Sequence, residues 1–127
     1  MEKIKLSEIQ FQNILNQNFD DHFWYFELGR FGEPEKDFVD NEFSTDFYNS
    51  GINLWKKYKK KIAEIMCDLD KKVPQEWVID LISGDIRNFI ITIVTLLVST
   101  YSIELSLAIP LVALALKHDI NKFCEEI

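Results

Sequence analysis

The stretch IRNFIITIVTLLVSTYSIELSLAIPLVALALKH, residues 86–118, is the most apolar part of the chain. Between Arg87 and Lys117 it carries a single charged side chain, Glu104. Such a stretch fits three structures: the core of a small globular protein, a membrane-spanning segment, or a hairpin that is buried in one state and inserted in another. The choice among them decides the fold.

The lengths of the charge-free runs favour a buried helical hairpin. A transmembrane helix needs about 20 mostly apolar residues, and residues 89–103 and 105–116 each fall short of that length. Joined, they would be long enough but would include Glu104 and Pro110, which a membrane tolerates only at a cost. The segment STYSIE, residues 99–104, is typical of a connection between two antiparallel helices.

The composition favours helices throughout. Four Gly and three Pro among 127 residues are few for a β fold with many turns. We therefore predict an all-α fold, a single-domain bundle of about five helices around a central apolar hairpin of residues 86–100 and 103–125. The acidic, aromatic N-terminal part is residues 1–46, a long amphipathic helix is residues 47–72, and the apolar helical core is residues 75–127.

Helix-capping residues predict where the helices begin. Ser7, Ser44, Asp85 and Ser102 each precede a helical pattern and can accept hydrogen bonds from its first turn. Pro74 suits the first turn of the helix that ends at Gly84. We expect Lys71 and Lys72 to end the long helix.

Glycine and proline predict the irregular parts. Gly29, Gly32 and Pro34 indicate a turn, within an irregular connection of residues 30–43. The preceding HFWYFEL segment fits either a strand or a helical turn. Gly51 is expected to break or bend the long helix near its start.

The long helix carries an apolar seam with spacings of 3, 4, 3 and 4 residues, which is typical of a helix that packs on another helix. That partner helix could belong to the same chain or to a second copy, so a homo-oligomer is one alternative. The seam residues are Trp55, Tyr58, Ile62, Ile65 and Leu69.

The charge distribution disfavours nucleic acid as a partner. The net charge is −7, and residues 1–55 hold eleven acids and four bases, whereas binding to a phosphate backbone needs a basic surface. The one basic cluster contains five lysines between Lys56 and Lys61. We interpret it as the solvated side of a helix or as a partner for the acids of the same chain.

The acidic, aromatic segment of residues 18–46 is the best functional candidate. Aromatic side chains anchor interfaces, and acids attract a basic partner; the same residues could equally attach a soluble loop to the core. The candidate partner-binding residues are Asp20, Asp21, Phe23, Trp24, Phe31, Asp37, Phe38 and Asp40.

No motif for catalysis, metal binding or a cofactor stands out. Asp20, Asp21 and His22 lack further ligands at a recognised spacing, so an acidic helix cap is the better interpretation. Cys67 and Cys124 could pair, but we expect them to be reduced and buried in a cytoplasmic protein, with association with the inner membrane as the alternative. The sequence therefore predicts no cofactor, no metal and no enzymatic activity.

These patterns lead to two functional hypotheses. The first is a non-catalytic protein-protein interaction module, either an accessory subunit or an immunity-type inhibitor, whose acidic aromatic face binds a protein partner. The alternative is a membrane-active effector that inserts or forms pores through the apolar hairpin of residues 86–116.

Overall fold

A computed structural model describes residues 3–32 and 43–127, and for residues 43–46 it describes the backbone alone. The chain is mostly helical, and seven helices and one two-stranded sheet lie within the described residues, against the predicted five or so helices. The elements are α1 (Glu8–Leu15), α2 (Asp21–Gly32), α3 (Phe43–Met66), β1 (Cys67–Asp68), β2 (Val73–Pro74), α4 (Glu76–Gly84), α5 (Ile86–Ser99), α6 (Leu105–Lys117) and α7 (Ile120–Glu125).

The first helix begins where its cap predicts. Ser7 accepts a hydrogen bond from the Gln10 amide at 3.1 Å, and the Gln10 side chain accepts one from the Ser7 amide at 2.8 Å. This reciprocal capping box satisfies two amides that a helix start leaves free. The helix is then tied to α5 by the ion pair of Glu8 and Arg87, whose guanidinium also lies over the Phe11 ring.

The apolar stretch forms α5 and α6, which pack against each other. Asp85 caps α5 as predicted, because its carboxylate accepts a hydrogen bond from the Asn88 amide at 3.1 Å. Fully buried side chains from both helices, such as Phe89 and Leu114, lie in the core. Within the described ranges, no helix is long and apolar enough to cross a membrane.

Two glycines bring the backbones of α2 and α3 into direct contact. A Cβ atom on Gly29 would lie 1.8 Å from the carbonyl oxygen of Phe47, and one on Gly51 would lie 1.7 Å from that of Tyr25. The turn predicted at Gly29 and Gly32 is wrong, since both residues lie inside α2, and α3 continues through Gly51. The absent side chains serve a close helix crossing here and not a turn.

The rest of that prediction lies outside the described residues. Pro34 and residues 33–42 of the predicted irregular connection belong to this undescribed segment. The HFWYFEL segment, for which a strand and a helical turn were open, lies within α2.

The long helix ends earlier than the lysines predict. It stops at Met66 and is followed by an antiparallel pair, β1 and β2, which the sequence patterns missed. The Asp68 carboxylate accepts hydrogen bonds from the amides of Asp70 and Lys71, and Lys72 has a φ of 56°. An aspartate that accepts hydrogen bonds from the backbone amides ahead of it forms a turn, and this turn connects β1 to β2.

The last helix of the prediction is divided into two. Asp119 accepts a hydrogen bond from the Asn121 amide at 2.9 Å and starts α7, so the helix breaks between Lys117 and Ile120. Ser102 is not the cap of α6, because it has a φ of 56° and Glu104 occupies the cap position.

The expectation of reduced cysteines is wrong. Cys67 at the end of α3 and Cys124 in α7 form a disulfide across a separation of 57 residues, and their Cα atoms are 5.6 Å apart. Both residues are buried, as expected. The bond joins the C-terminal helix to the end of the long helix.

Candidate functional site

The second helix contains most of the described residues of the candidate segment. Its start is set by Asp20, whose carboxylate accepts a hydrogen bond from the Phe23 amide at 3.0 Å. Asp21 follows in the first turn, where the helix dipole favours a carboxylate. Asp20 therefore has a structural role as a cap, so changing it would disturb α2 itself.

One face of α2 borders a surface cavity of about 400 Å³ between α1, α2 and α6. Its volume lies in the usual range of ligand pockets, and its walls are largely apolar with a few polar groups, which is also typical of such pockets. The lining residues are Gln10, Asn13, Phe23, Trp24, Glu27, Phe31, Leu105, Ser106, Ile109 and Pro110.

The aromatic residues of the cavity differ in how far they reach the surface. Trp24 is 3% exposed, whereas Phe31 is 39% exposed. Phe23 is half-buried and packs edge-on against Trp24, with ring centroids 4.9 Å apart. Phe31 thus lies at the edge of the cavity, and Trp24 forms part of its wall.

Two residues of the cavity wall, Trp24 and Pro110, leave a polar group without one of its usual hydrogen bonds. The indole Nε1 of Trp24 is buried and has no hydrogen-bond acceptor. Pro110 has no amide proton, so it cannot donate the intrahelical bond to the carbonyl of Ser106 one turn earlier. Trp24, Ser106 and Pro110 all line the cavity.

A cation already occupies the edge of the cavity. The guanidinium of Arg30 donates a hydrogen bond to the Glu27 carboxylate at 2.9 Å. The same group lies over the ring of Phe31, 4.5 Å from its centroid. An acid and an aromatic face together form a favourable position for a guanidinium.

The other side of α2 packs on α3 through aromatic rings. His22 stacks on Tyr48 with centroids 4.4 Å apart, and Tyr25 meets the same ring edge-on. Burial is the main cause that raises the pKa of Tyr25, and the charge of Asp21 adds to it. These rings join α2 to α3.

The predicted partner-binding residues therefore fall into separate groups. Phe23, Trp24 and Phe31 come together at the cavity, and Asp20 and Asp21 lie at the start of α2. The other three candidates, Asp37, Phe38 and Asp40, lie outside the described residues. The sequence patterns missed Glu27 and every contribution from α1 and α6. No spacing signal could have found the latter, because they reach α2 only through tertiary packing.

The seam of α3 is covered largely by the same chain. Trp55 and Ile62 are buried, and the Trp55 ring stacks on His118 and packs against Phe123 of α7. Leu69 is 47% exposed and lies beyond the helix end, so it is not part of a helical seam. The two buried seam residues, Trp55 and Ile62, therefore pack against other parts of the same chain.

The lysine cluster has its charged groups in solvent or over aromatic rings. Lys57 lies over Tyr58, and Lys61 lies over Tyr101, at 5.2 and 5.1 Å from the centroids. In the described part of the chain, none of these lysines forms an ion pair with an acid. The described residues also contain no group of three or more His, Cys, Asp or Glu that could hold a metal ion.

Comparisons with protein-family models, curated proteins and solved structures find no match to this chain.

Proposed function

We propose that this protein is a non-catalytic protein-interaction module, of the accessory-subunit or immunity-inhibitor type, that binds a protein partner at the α1–α2–α6 cavity. The observation that carries the proposal is the position of Phe23 and Phe31. These aromatics of the acidic segment line an apolar cavity of about 400 Å³, and Phe31 is exposed at its edge. Binding energy at interfaces concentrates where a few large side chains fill such pockets.

The remaining architecture serves as a scaffold in this proposal. The pair α5 and α6 acts in this proposal as the central hairpin of the bundle, and α6 supplies one wall of the cavity. A homo-oligomer through the α3 seam is not part of the proposal, because Trp55 and Ile62 are buried within their own chain.

The disulfide bears on the compartment. Disulfides persist in oxidising compartments and are rare in the cytoplasm, so the Cys67–Cys124 bond weighs against the predicted cytoplasmic localisation. The proposed interaction at the cavity does not depend on whether the protein lies in an oxidising compartment or in the cytoplasm.

The alternative of a membrane-active effector has no specific observation in its favour among the described residues. The helices α5 and α6 have 14 and 13 residues, and most of the α6 side chains are buried in the core. Insertion would have to remove these side chains from their present contacts.

The test uses a library of random dodecapeptides displayed on phage and the full chain as bait. Ser106, which lines the cavity, is changed to Phe to fill it, and Ser83, exposed on α4 outside the cavity, is changed to Phe as the matched control. We expect selected peptides that bind the parent and Ser83→Phe and lose binding to Ser106→Phe. Circular dichroism and thermal unfolding verify that both variants are folded. If every selected peptide binds Ser106→Phe as well as the parent, the proposal is wrong.

A further inference from the structure

We infer that the partner segment combines a large apolar side chain, which enters the cavity, with an arginine or lysine that replaces Arg30 between Glu27 and Phe31. The inference rests on the proposed function and specifies the chemistry of the partner.

The strongest observation is that the edge of the cavity already binds a guanidinium. Arg30 bonds to the Glu27 carboxylate at 2.9 Å and lies 4.5 Å from the centre of the Phe31 ring. Glu27 and Phe31 also line the apolar cavity. An apolar side chain in the cavity and a cation at this position would therefore be close neighbours on the partner.

Arg30 is held weakly enough to be replaced. Its side chain is 45% exposed, and ion pairs at the surface contribute little because water and salt screen them. The Glu27 side chain is only 18% exposed. Such a carboxylate is partly withdrawn from water, so it continues to favour a cation when Arg30 moves away.

The described charges of α2 favour a basic partner over an acidic one. Among the charged side chains of this helix, Asp21 and Glu27 are acidic and Arg30 is basic. Once Arg30 has moved away from Glu27, an acidic segment would meet repulsion from this carboxylate, whereas a basic one would be attracted and oriented.

The first experiment changes the charge on the peptide. Cavity-dependent peptides from the library are synthesised with each arginine replaced by citrulline, which keeps the shape of the side chain and removes its charge. We expect the Kd, measured by isothermal titration calorimetry, to rise about threefold to tenfold for one specific position.

The second experiment changes the charge on the protein. Glu27→Gln is expected to weaken the arginine peptide and to leave its citrulline form unchanged. Arg30→Gln removes the competing cation and is expected to tighten the arginine peptide by about threefold. Lys60→Gln removes the same charge from an exposed position of α3 outside the cavity, and it controls for long-range attraction.

The outcomes separate this inference from the proposed function. If peptides depend on the cavity but neither citrulline nor Glu27→Gln alters their affinity, the cation site is wrong and the interaction module stands. If Lys60→Gln tightens binding as much as Arg30→Gln, general attraction explains the effect and the replacement of Arg30 is refuted. If no peptide depends on the cavity, both proposals fall.

Discussion

The two ends of the long helix α3 are held by different means. Near its start, Gly29 and Gly51 let the backbones of α2 and α3 meet, so the contact depends on the absence of side chains. At its other end, Cys67 is joined to Cys124 of α7 by a covalent bond. The first contact should therefore be sensitive to added side-chain volume, and the second to reduction of the disulfide.

The difference follows from what each end must hold. The helix α2 has 12 residues and packs along α3, so a close fit gives it many contacts. The helix α7 has only six residues. So short a helix is marginal by itself, and the disulfide and the packing of Phe123 on Trp55 keep it in place.

Loss of the disulfide should have the largest effect. Opening a loop of 57 residues costs about 4 kcal/mol of stability in the chain-entropy account. We expect urea denaturation of the Cys67→Ala, Cys124→Ala double variant to give an unfolding free energy lower by that amount. We expect reductant to destabilise the parent but not the variant. Equal stability of parent and variant would contradict a structural role for the bond.

A methyl group at the glycine crossing should come next. In Gly29→Ala or Gly51→Ala the new Cβ would lie within 1.8 Å of a carbonyl oxygen, so the helices must separate. We expect each variant to lose about 3 kcal/mol of unfolding free energy, measured by urea denaturation. Gly84→Ala is the control, because nothing lies within 4 Å of its Cβ and the site is exposed. A loss as large at Gly84 would refute the steric explanation.

A smaller effect is expected from the unpaired indole of α2. Trp24→Phe gives up buried area but removes a buried donor without an acceptor, so the two contributions oppose each other. We expect a change in unfolding free energy within about 1 kcal/mol of zero. The comparison is Trp77→Phe, whose indole donates to Gln75 at 3.2 Å and whose loss removes a real hydrogen bond. A clearly larger cost at Trp24 than at Trp77 would indicate that its indole is paired.

The smallest effect concerns an exposed ion pair away from both ends of α3. The hydrogen bond from Arg87 lowers the pKa of Glu8 from its usual 4.5. A carboxylate whose pKa is lowered in the folded state stabilises the fold at any pH above its ordinary pKa. This contribution is lost as the pH falls through the lowered pKa.

Glu8→Gln should therefore reduce the thermal midpoint slightly at neutral pH and have no such effect in strong acid. Thermal unfolding followed by circular dichroism across this range measures the difference. Asp80→Asn removes the same charge at an exposed position of α4 and serves as the reference. A deficit of Glu8→Gln that persists unchanged into strong acid would contradict the linkage to Arg87.

The helical class and the helix starts at Ser7 and Asp85 follow from the amino-acid sequence. Ser7 and Asp85 cap their helices as predicted, because a cap is a local interaction between a side chain and the amides two or three residues ahead. The apolar stretch of residues 86–118 also predicts burial correctly, because the hydrophobic effect does not depend on the exact geometry of the contacts.

The roles of the glycines, the cysteines and the aromatic segment depend on contacts between distant parts of the chain. The turn prediction at Gly29 is wrong because this glycine makes room for the backbone of Phe47, which belongs to another helix. The cavity at Phe31 likewise needs walls from α1 and α6, which are distant in sequence. Local rules follow neighbours along the chain, whereas a close crossing, a disulfide and a cavity depend on which distant segments pack together.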